Sequence, residues 1–338
     1  MQRGVRRSGA TPTRGTDRAG VPGTGADGKN GERAMRGDEE RSGPMREKVM
    51  ESSTTPISTG ERVFFVGHSF HMFVVRPLIR LCKEAGIPGH WAEGWDMIGG
   101  STPLQHWERG GDENAVKKAL ATGRVQTLTL ATNVRTDDPA VDLFADLAVK
   151  HNPDVRVMLQ HSWGDHLTGA LMRARHDTGE RRDAPRTPEA LRELVASVGS
   201  NTDRDAMTAA QVAGLRARGI DVWRERLAGI NRRHGRTLAY LVPVNEAVVR
   251  TREAVLRGGV PGVARQSDLF RDVLGHATEP TMDLVSYVWF GALYRKSPVG
   301  LEALIQRADP DAPARHRVLQ EIAWAATLEE PFSGVAPA

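Results

Sequence analysis

The run Val63-Phe64-Phe65-Val66, stopped by Gly67 and followed shortly by Ser69, constrains this chain more than any other stretch. Four successive β-favouring apolar residues predict a strand buried on both faces, as in a parallel sheet covered by helices. Gly67 lets the chain turn sharply at the strand's carboxyl end. Ligands bind at that end in open α/β sheets, so Ser69 is read as a candidate nucleophile.

Further strands are expected at 90–98, 125–132, 156–160 and 237–244, separated by helical spacing at 70–85, 112–122, 139–150 and 207–234. Helices are also expected at 245–257, 279–294, 299–307 and 313–328. Such alternation implies parallel strands joined by crossovers. Between 164 and 206 the periodicity fades while Arg, Asp, Thr and Pro accumulate, which predicts an insertion lying over the strand ends. The chain thus divides into a tail, 1–59, and a domain, 60–330, carrying that insertion.

The tail is rich in Gly, Arg, Ser and Pro and cannot bury enough apolar surface to offset its ordering entropy, so it is expected to be disordered. Met45 or Met50 is an alternative start. Arg6-Arg7 is followed by no apolar h-region, and no apolar run approaches a membrane span, so no signal peptide or transmembrane segment is expected and the default location is cytoplasmic. The net charge of +4 comes from basic residues scattered among nearly as many acids, without a nucleic-acid-binding motif. A single cysteine, Cys82, excludes an intrachain disulfide and is expected as an inert core thiol.

Three further loops carry chemistry. Gly99-Gly100 after the second strand lets the backbone approach a ligand and present free N–H groups, although a plain turn would also use it. Asn133 ends the third strand and serves either a ligand or nearby backbone groups. His276 follows Gly275 in a loop that also holds Asp272. Ser69 has a plainer alternative as a helix cap. Gln160, His161, Ser162, Trp163 and Asp165 follow the fourth strand, and Gln160, His161 and Trp163, with Gly99, are expected to bind substrate. Trp163 would be a platform for a sugar or acyl group, or a buried anchor for the insertion. Arg173, Arg175, Arg181, Arg182 and Arg186 would favour an anionic substrate or merely form a solvated face. His68, His71, His161 and His166 lack the accompanying acids or cysteines of a metal site, and no cofactor is expected.

Gly67-His68-Ser69, Gly99-Gly100, Ala131-Thr132-Asn133 and Asp272 to His276 together resemble, in order, the four blocks of the SGNH (GDSL-like) hydrolases. The resemblance spans about residues 62–295. It implies a three-layer α/β/α sandwich with a five-stranded parallel flavodoxin-like sheet. It also implies a Ser69–His276–Asp272 triad and an oxyanion hole built from the Ser69 and Gly100 N–H groups and the Asn133 amide. This sequence has His68 where the family has aspartate, Ala131 where glycine is usual, and Val134 where aspartate often follows the asparagine. Its acid and histidine are four apart instead of three, which leaves Asp268 or Glu279 as alternative orienting acids, or a dyad.

The expected function is hydrolysis of an O-acyl ester on a carbohydrate or other small molecule through an acyl-serine. A degenerate relative with a binding or structural role is the alternative. A nucleotide-binding protein is disfavoured, because neither strand-end loop carries a phosphate-binding glycine pattern. The apolar C-terminal helices with Trp324 would pack on the domain or on a second subunit.

Overall fold

Phe64 and Val66 point to one face of the first strand and Val63 and Phe65 to the other, and both pairs are buried. This is why the strand carries no polar alternation: it is covered on both sides. A computed structural model describes residues 53–111, 114–133, 136–177, 187–306 and 308–337, all within the unit Lys48–Ala338. The five strands are β1 (Arg62–Gly67), β2 (Trp91–Met97), β3 (Thr127–Ala131), β4 (Arg156–Gln160) and β5 (Ala239–Val242). They form one parallel sheet in the order β2-β1-β3-β4-β5.

The helices are, in chain order, α1 (Val75–Glu84), α2 (Pro103–Trp107), α3 (Ala115–Ala121), α4 (Ala140–His151), α5 (His166–Asp177) and α6 (Pro188–Val198). They continue with α7 (Ala209–Ala213), α8 (Ile220–His234), α9 (Val244–Leu256), α10 (Glu279–Tyr294) and α11 (Ala312–Glu329). Val63, Phe65 and Met158 pack with Leu78 and Leu81 of α1, Val248 of α9, Trp289 of α10 and Leu319 of α11. On the other face, Phe64, Leu128 and Leu159 pack with Val116 of α3, Phe144 of α4 and Leu227 of α8. The result is a three-layer α/β/α sandwich. Fully burying one such aliphatic or aromatic side chain contributes about 1.5–3 kcal/mol.

Chain order reverses between β1 and β3, with β2 on one side and β4 and β5 on the other. At such a switch point the loops leaving neighbouring strands diverge and open a crevice at the carboxyl edge. Ser69 leaves β1 and Asn133 leaves β3 at this crevice.

Several expectations need correction. Residues 1–52 of the expected tail lie outside the described residues, but 53–59 are ordered: Ser53 bridges Val335, and the Ile57 N–H donates to the Tyr294 carbonyl at 2.8 Å. Ordered chain also continues past 330, where the Leu241 N–H donates to Phe332 O. The helix expected at 299–307 is replaced by turns over 299–306, and residue 307 lies outside the described residues. Gly300 sits at φ +92, Gln320 accepts its N–H and donates to Leu301 O, and Glu84 accepts the N–H groups of Glu302 and Ala303. Side chains thus take the backbone partners that a helix would have supplied. The helical tract expected at 207–234 breaks at Gly219, which adopts φ +68. The described residues of the 164–206 stretch are largely helical, as α5, α6 and a 3₁₀ turn at Asn201–Ala206.

Cys82 is buried, and burial pushes its thiol up to about 12, in keeping with an unreactive core position. Among the described residues, no helix is long and apolar enough to cross a membrane.

Candidate active site

β1 delivers Ser69 at its carboxyl end, and the loop before α10 delivers His276. Ser69 Oγ lies 2.9 Å from His276 Nε2. On the far side of the ring, His276 Nδ1 lies 2.6 Å from Asp272 Oδ2. An ionised carboxylate only accepts, so Nδ1 carries the ring proton and Nε2 is free to accept from the serine hydroxyl. Partial burial raises the Asp272 carboxyl, but the His276 ring and the backbone N–H groups of His276 and Gly275 outweigh it and hold it down at about 2. The Asp272 carboxyl is therefore ionised across the neutral range.

The four-residue spacing of Asp272 and His276 is absorbed by a turn. Gly275 adopts φ +93, its N–H donates to Asp272 O at 3.0 Å, and Phe270 and Ala277 close the loop as an antiparallel bridge. Asp268 is committed elsewhere, accepting the N–H groups of Ala264 and Arg265.

The 164–206 stretch and the residue before it hold this loop by its carbonyls. Arg204 donates to Asp272 O at 2.9 Å and Val273 O at 2.8 Å, Thr168 Oγ1 to Leu274 O at 2.9 Å, and Trp163 Nε1 to Gly275 O at 2.9 Å. Arg204 is fully buried and pairs with Asp165, which also pairs with Arg252. Burial raises the Asp165 carboxyl, but the two guanidinium groups outweigh it and keep it below its ordinary range. Nothing local in the sequence marks Arg204, because its partners lie 39 and 68 residues away.

The residues around Ser69 are equally constrained. His68 is buried, its Nε2–H donates to Thr132 O at 2.9 Å and its Nδ1 accepts the Phe70 N–H at 3.2 Å. Burial pushes it down to about 4, so it is a neutral strap between the β1 and β3 loops. Phe70 stacks on Trp163 with ring centroids 4.5 Å apart and meets His276 edge-on at 5.3 Å. The Ser69 hydroxyl makes no helix-capping bond; the 3₁₀ turn ahead of α1 begins from His71.

Ser69, Gly100 and Asn133 line one cavity of about 260 Å³. The backbone N–H groups of Ser69 and Gly100 donate to no protein acceptor among the described residues. Asn133 Nδ2 donates to Gly100 O at 2.7 Å and Ser101 O at 3.1 Å, so its amide fastens the Gly100 loop. His161 and Trp163 also line the cavity, with Ser162. His161 Nε2–H donates to Arg218 O at 2.8 Å, and burial pushes its ring down to about 4.

Two expected substrate contacts are not in the cavity wall. Gly99 is exposed outside it, one residue too early in the turn. Gln160 is fully buried behind the wall: Nε2 donates to Phe70 O and Ser162 Oγ, and Oε1 accepts from Trp289 Nε1. Asp165 is likewise withdrawn into its arginine pairs. Trp163 is only 5% exposed and its face is taken by Phe70, so it is a wall and not an open sugar platform. Arg181, Arg182 and Arg186 lie outside the described residues, as do the side chains of Arg173 and Arg175.

Other parts of the wall have no counterpart among the expected site residues, among them Thr168 and Met172 of α5, Arg218, Trp223 of α8 and Leu274. Trp223 fits the apolar stripe of its helix, where core packing explains it equally well. No cluster of three or more metal-ligating side chains occurs among the described residues.

No protein-family model matches the chain. No curated protein matches it either. Among solved structures, the chain is similar to a DUF4886 family protein from Bacteroides uniformis, at 13% identity and a TM-score of 0.46, over 80% of this chain and 95% of the other.

Proposed function

We propose that the protein is a serine-dependent ester hydrolase of SGNH type, acting on an O-acyl ester of a carbohydrate or other small molecule. The observation that carries this reading is the hydrogen-bonded sequence Ser69, His276, Asp272 at the mouth of a cavity beside unpaired backbone N–H groups.

In this reading Ser69 Oγ attacks the ester carbonyl while His276 Nε2 takes the hydroxyl proton. Asp272 holds the ring in the required tautomer and stabilises the imidazolium. The tetrahedral oxyanion is met by the N–H groups of Ser69 and Gly100, with Asn133 holding the Gly100 turn in place. His276 returns the proton to the departing alkoxide, which leaves as the alcohol and an acyl-Ser69. Water then attacks the acyl carbon, His276 accepts its proton, and the carboxylic acid leaves as Ser69 recovers its hydrogen.

Turnover of p-nitrophenyl esters from acetate to octanoate by the wild type, lost in Ser69→Ala, is the expected result. A folded wild type that cleaves none of them, or a Ser69→Ala variant that cleaves them equally well, contradicts the proposal. Binding without turnover would then be the surviving role.

A further inference from the structure

A second serine, histidine and aspartate are joined in the same order beside the first. Ser101 Oγ lies 2.8 Å from His106 Nε2, and His106 Nδ1 lies 2.7 Å from Asp96 Oδ2. Asp96 comes from β2 and His106 from α2, while Ser101 directly follows Gly100. Arg109 Nη1 donates to Asp96 Oδ1 at 2.6 Å. Because the carboxylate accepts from Nδ1–H, Nε2 is the acceptor and the Ser101 hydroxyl must be the donor.

This arrangement is not a second nucleophilic centre. Ser101 is 1% exposed, His106 fully buried and Asp96 5% exposed, and none of them lines the cavity. Burial holds the His106 ring below its ordinary range despite the pull of Asp96, so it is a neutral link. α2 itself is anchored at its start, with Leu104 N–H donating to Asp138 and Thr102 and Gln105 forming a reciprocal cap.

We infer that Asp96, His106 and Ser101 form a buried positioning relay that fixes the Gly100–Ser101 peptide and, through the Gly100 backbone angle, the direction of the Gly100 N–H, the oxyanion donor of the proposed hydrolase. Gly100 is gripped from both sides. Its own carbonyl and that of Ser101 accept from Asn133 Nδ2, the Ser101 side chain is tied to His106, and the Ser101 N–H closes a turn onto Ile98 O. Gly100 adopts φ +63, a conformation open to a glycine peptide that could otherwise swing. A donor meets a tetrahedral oxyanion only if its N–H direction is set beforehand, because reorienting it during the reaction forfeits most of its benefit. Asn133 sets that direction from the β3 side and the relay from the β2 side.

This inference rests on the hydrolase reading for its chemistry, so its test separates the two. The full-length wild type, Ser101→Ala and His106→Asn are reacted with a fluorophosphonate, whose phosphonyl oxygen occupies the oxyanion position. Wild type labelled at Ser69 is the reference. The relay predicts that both variants lose about tenfold or more in the maximal labelling rate, with the half-saturating probe concentration within about twofold and melting temperatures near wild type. Ser101→Thr, which keeps the hydroxyl, recovers most of the rate. Folded variants that both label at the wild-type rate, or that change only the half-saturating concentration, overturn the relay. If the wild type does not label at all, the hydrolase reading fails on its own account. Amide exchange at Ser101, whose N–H is bonded to Ile98 O, then decides the relay: faster in His106→Asn supports it, unchanged overturns it.

Discussion

The Ser69 hydroxyl and the His276 ring nitrogen lie 2.9 Å apart although 207 residues separate them in the chain. Neither element brings the other there. β1 fixes Ser69 by burying Val63 to Val66 in the sheet, whereas His276 is placed by a loop whose carbonyls are held by Arg204, Thr168 and Trp163. The pair is therefore the product of two separate supports, and each predicts its own failure.

Asp272→Asn removes the carboxylate that selects the Nδ1–H tautomer while preserving shape. In a comparable triad such a change lowers turnover by about 10⁴-fold. The same direction is expected here, a loss of at least about a thousandfold in kcat with little change in KM, measured by steady-state ester hydrolysis.

Arg204→Met withdraws one buried cation from Asp165, removes the donor to the Val273 carbonyl and leaves the Asp272 carbonyl with the Gly275 N–H alone. Breaking a buried pair by removing one partner costs about 3–5 kcal/mol. Arg252 still faces Asp165 at 3.1 Å, so the lower end is expected, read as a fall in the urea midpoint. Hydrolytic activity should fall further than stability explains, because the His276 loop loses its register.

Three buried histidines predict the acid response. Burial lowers His68 to about 4, His71 to about 3 and His161 to about 4. In the unfolded chain each returns to about 6.5, so below that pH the unfolded state binds more protons than the folded one. Their contribution to stability is complete above about 6.5 and falls as pH drops towards 4, each histidine adding about 1.4 kcal/mol per pH unit within that window. His71→Phe should flatten the slope of the melting temperature against pH. His71 stacks on Trp289 and its Nε2 has no hydrogen-bond partner among the described residues, but its Nδ1–H donates to Val66 O at 3.3 Å, so the variant is expected to lose about 1 kcal/mol at neutral pH while its slope flattens.

Asp283 predicts the opposite limb. Burial, with help from Glu279, raises its carboxyl to about 8, although Arg315 and Arg80 pull it down, and His316 Nε2 lies 3.5 Å away. The folded state keeps this proton when the unfolded chain has lost it, so stability declines as pH rises from about 4 to about 8. Asp283→Asn should raise the melting temperature at pH 9 by several degrees and leave it nearly unchanged at pH 4, by differential scanning calorimetry.

What could be read in advance divides along physical lines. Strands β1, β4 and β5 were legible because burial on both faces demands apolar runs, and β4 occupies Arg156–Gln160, the residues expected from the sequence; β2 lies at the sheet edge, only partly buried, and carries no such run. α10, Glu279–Tyr294, was equally clear, with Pro280 in its first turn and almost every later residue apolar. Ser69, Gly100 and Asn133 could be placed on one edge of the sheet in advance because each follows a strand, and the carboxyl ends of parallel strands share one side. The supports could not. Arg204 and Arg252 read as ordinary charged residues until the fold places both against Asp165, and the turns at 299–306 depend on Gln320 and Glu84 arriving from distant helices. Gln160 misled because strand parity says which face a residue takes but not how deep it lies.

The most direct test of the central claim is intact-mass analysis after exposure to a fluorophosphonate, followed by peptide mapping. One adduct is predicted, located on Ser69, absent from Ser69→Ala and formed far more slowly by His276→Ala. A folded wild type that takes up no adduct, or an adduct that persists in Ser69→Ala, contradicts the account.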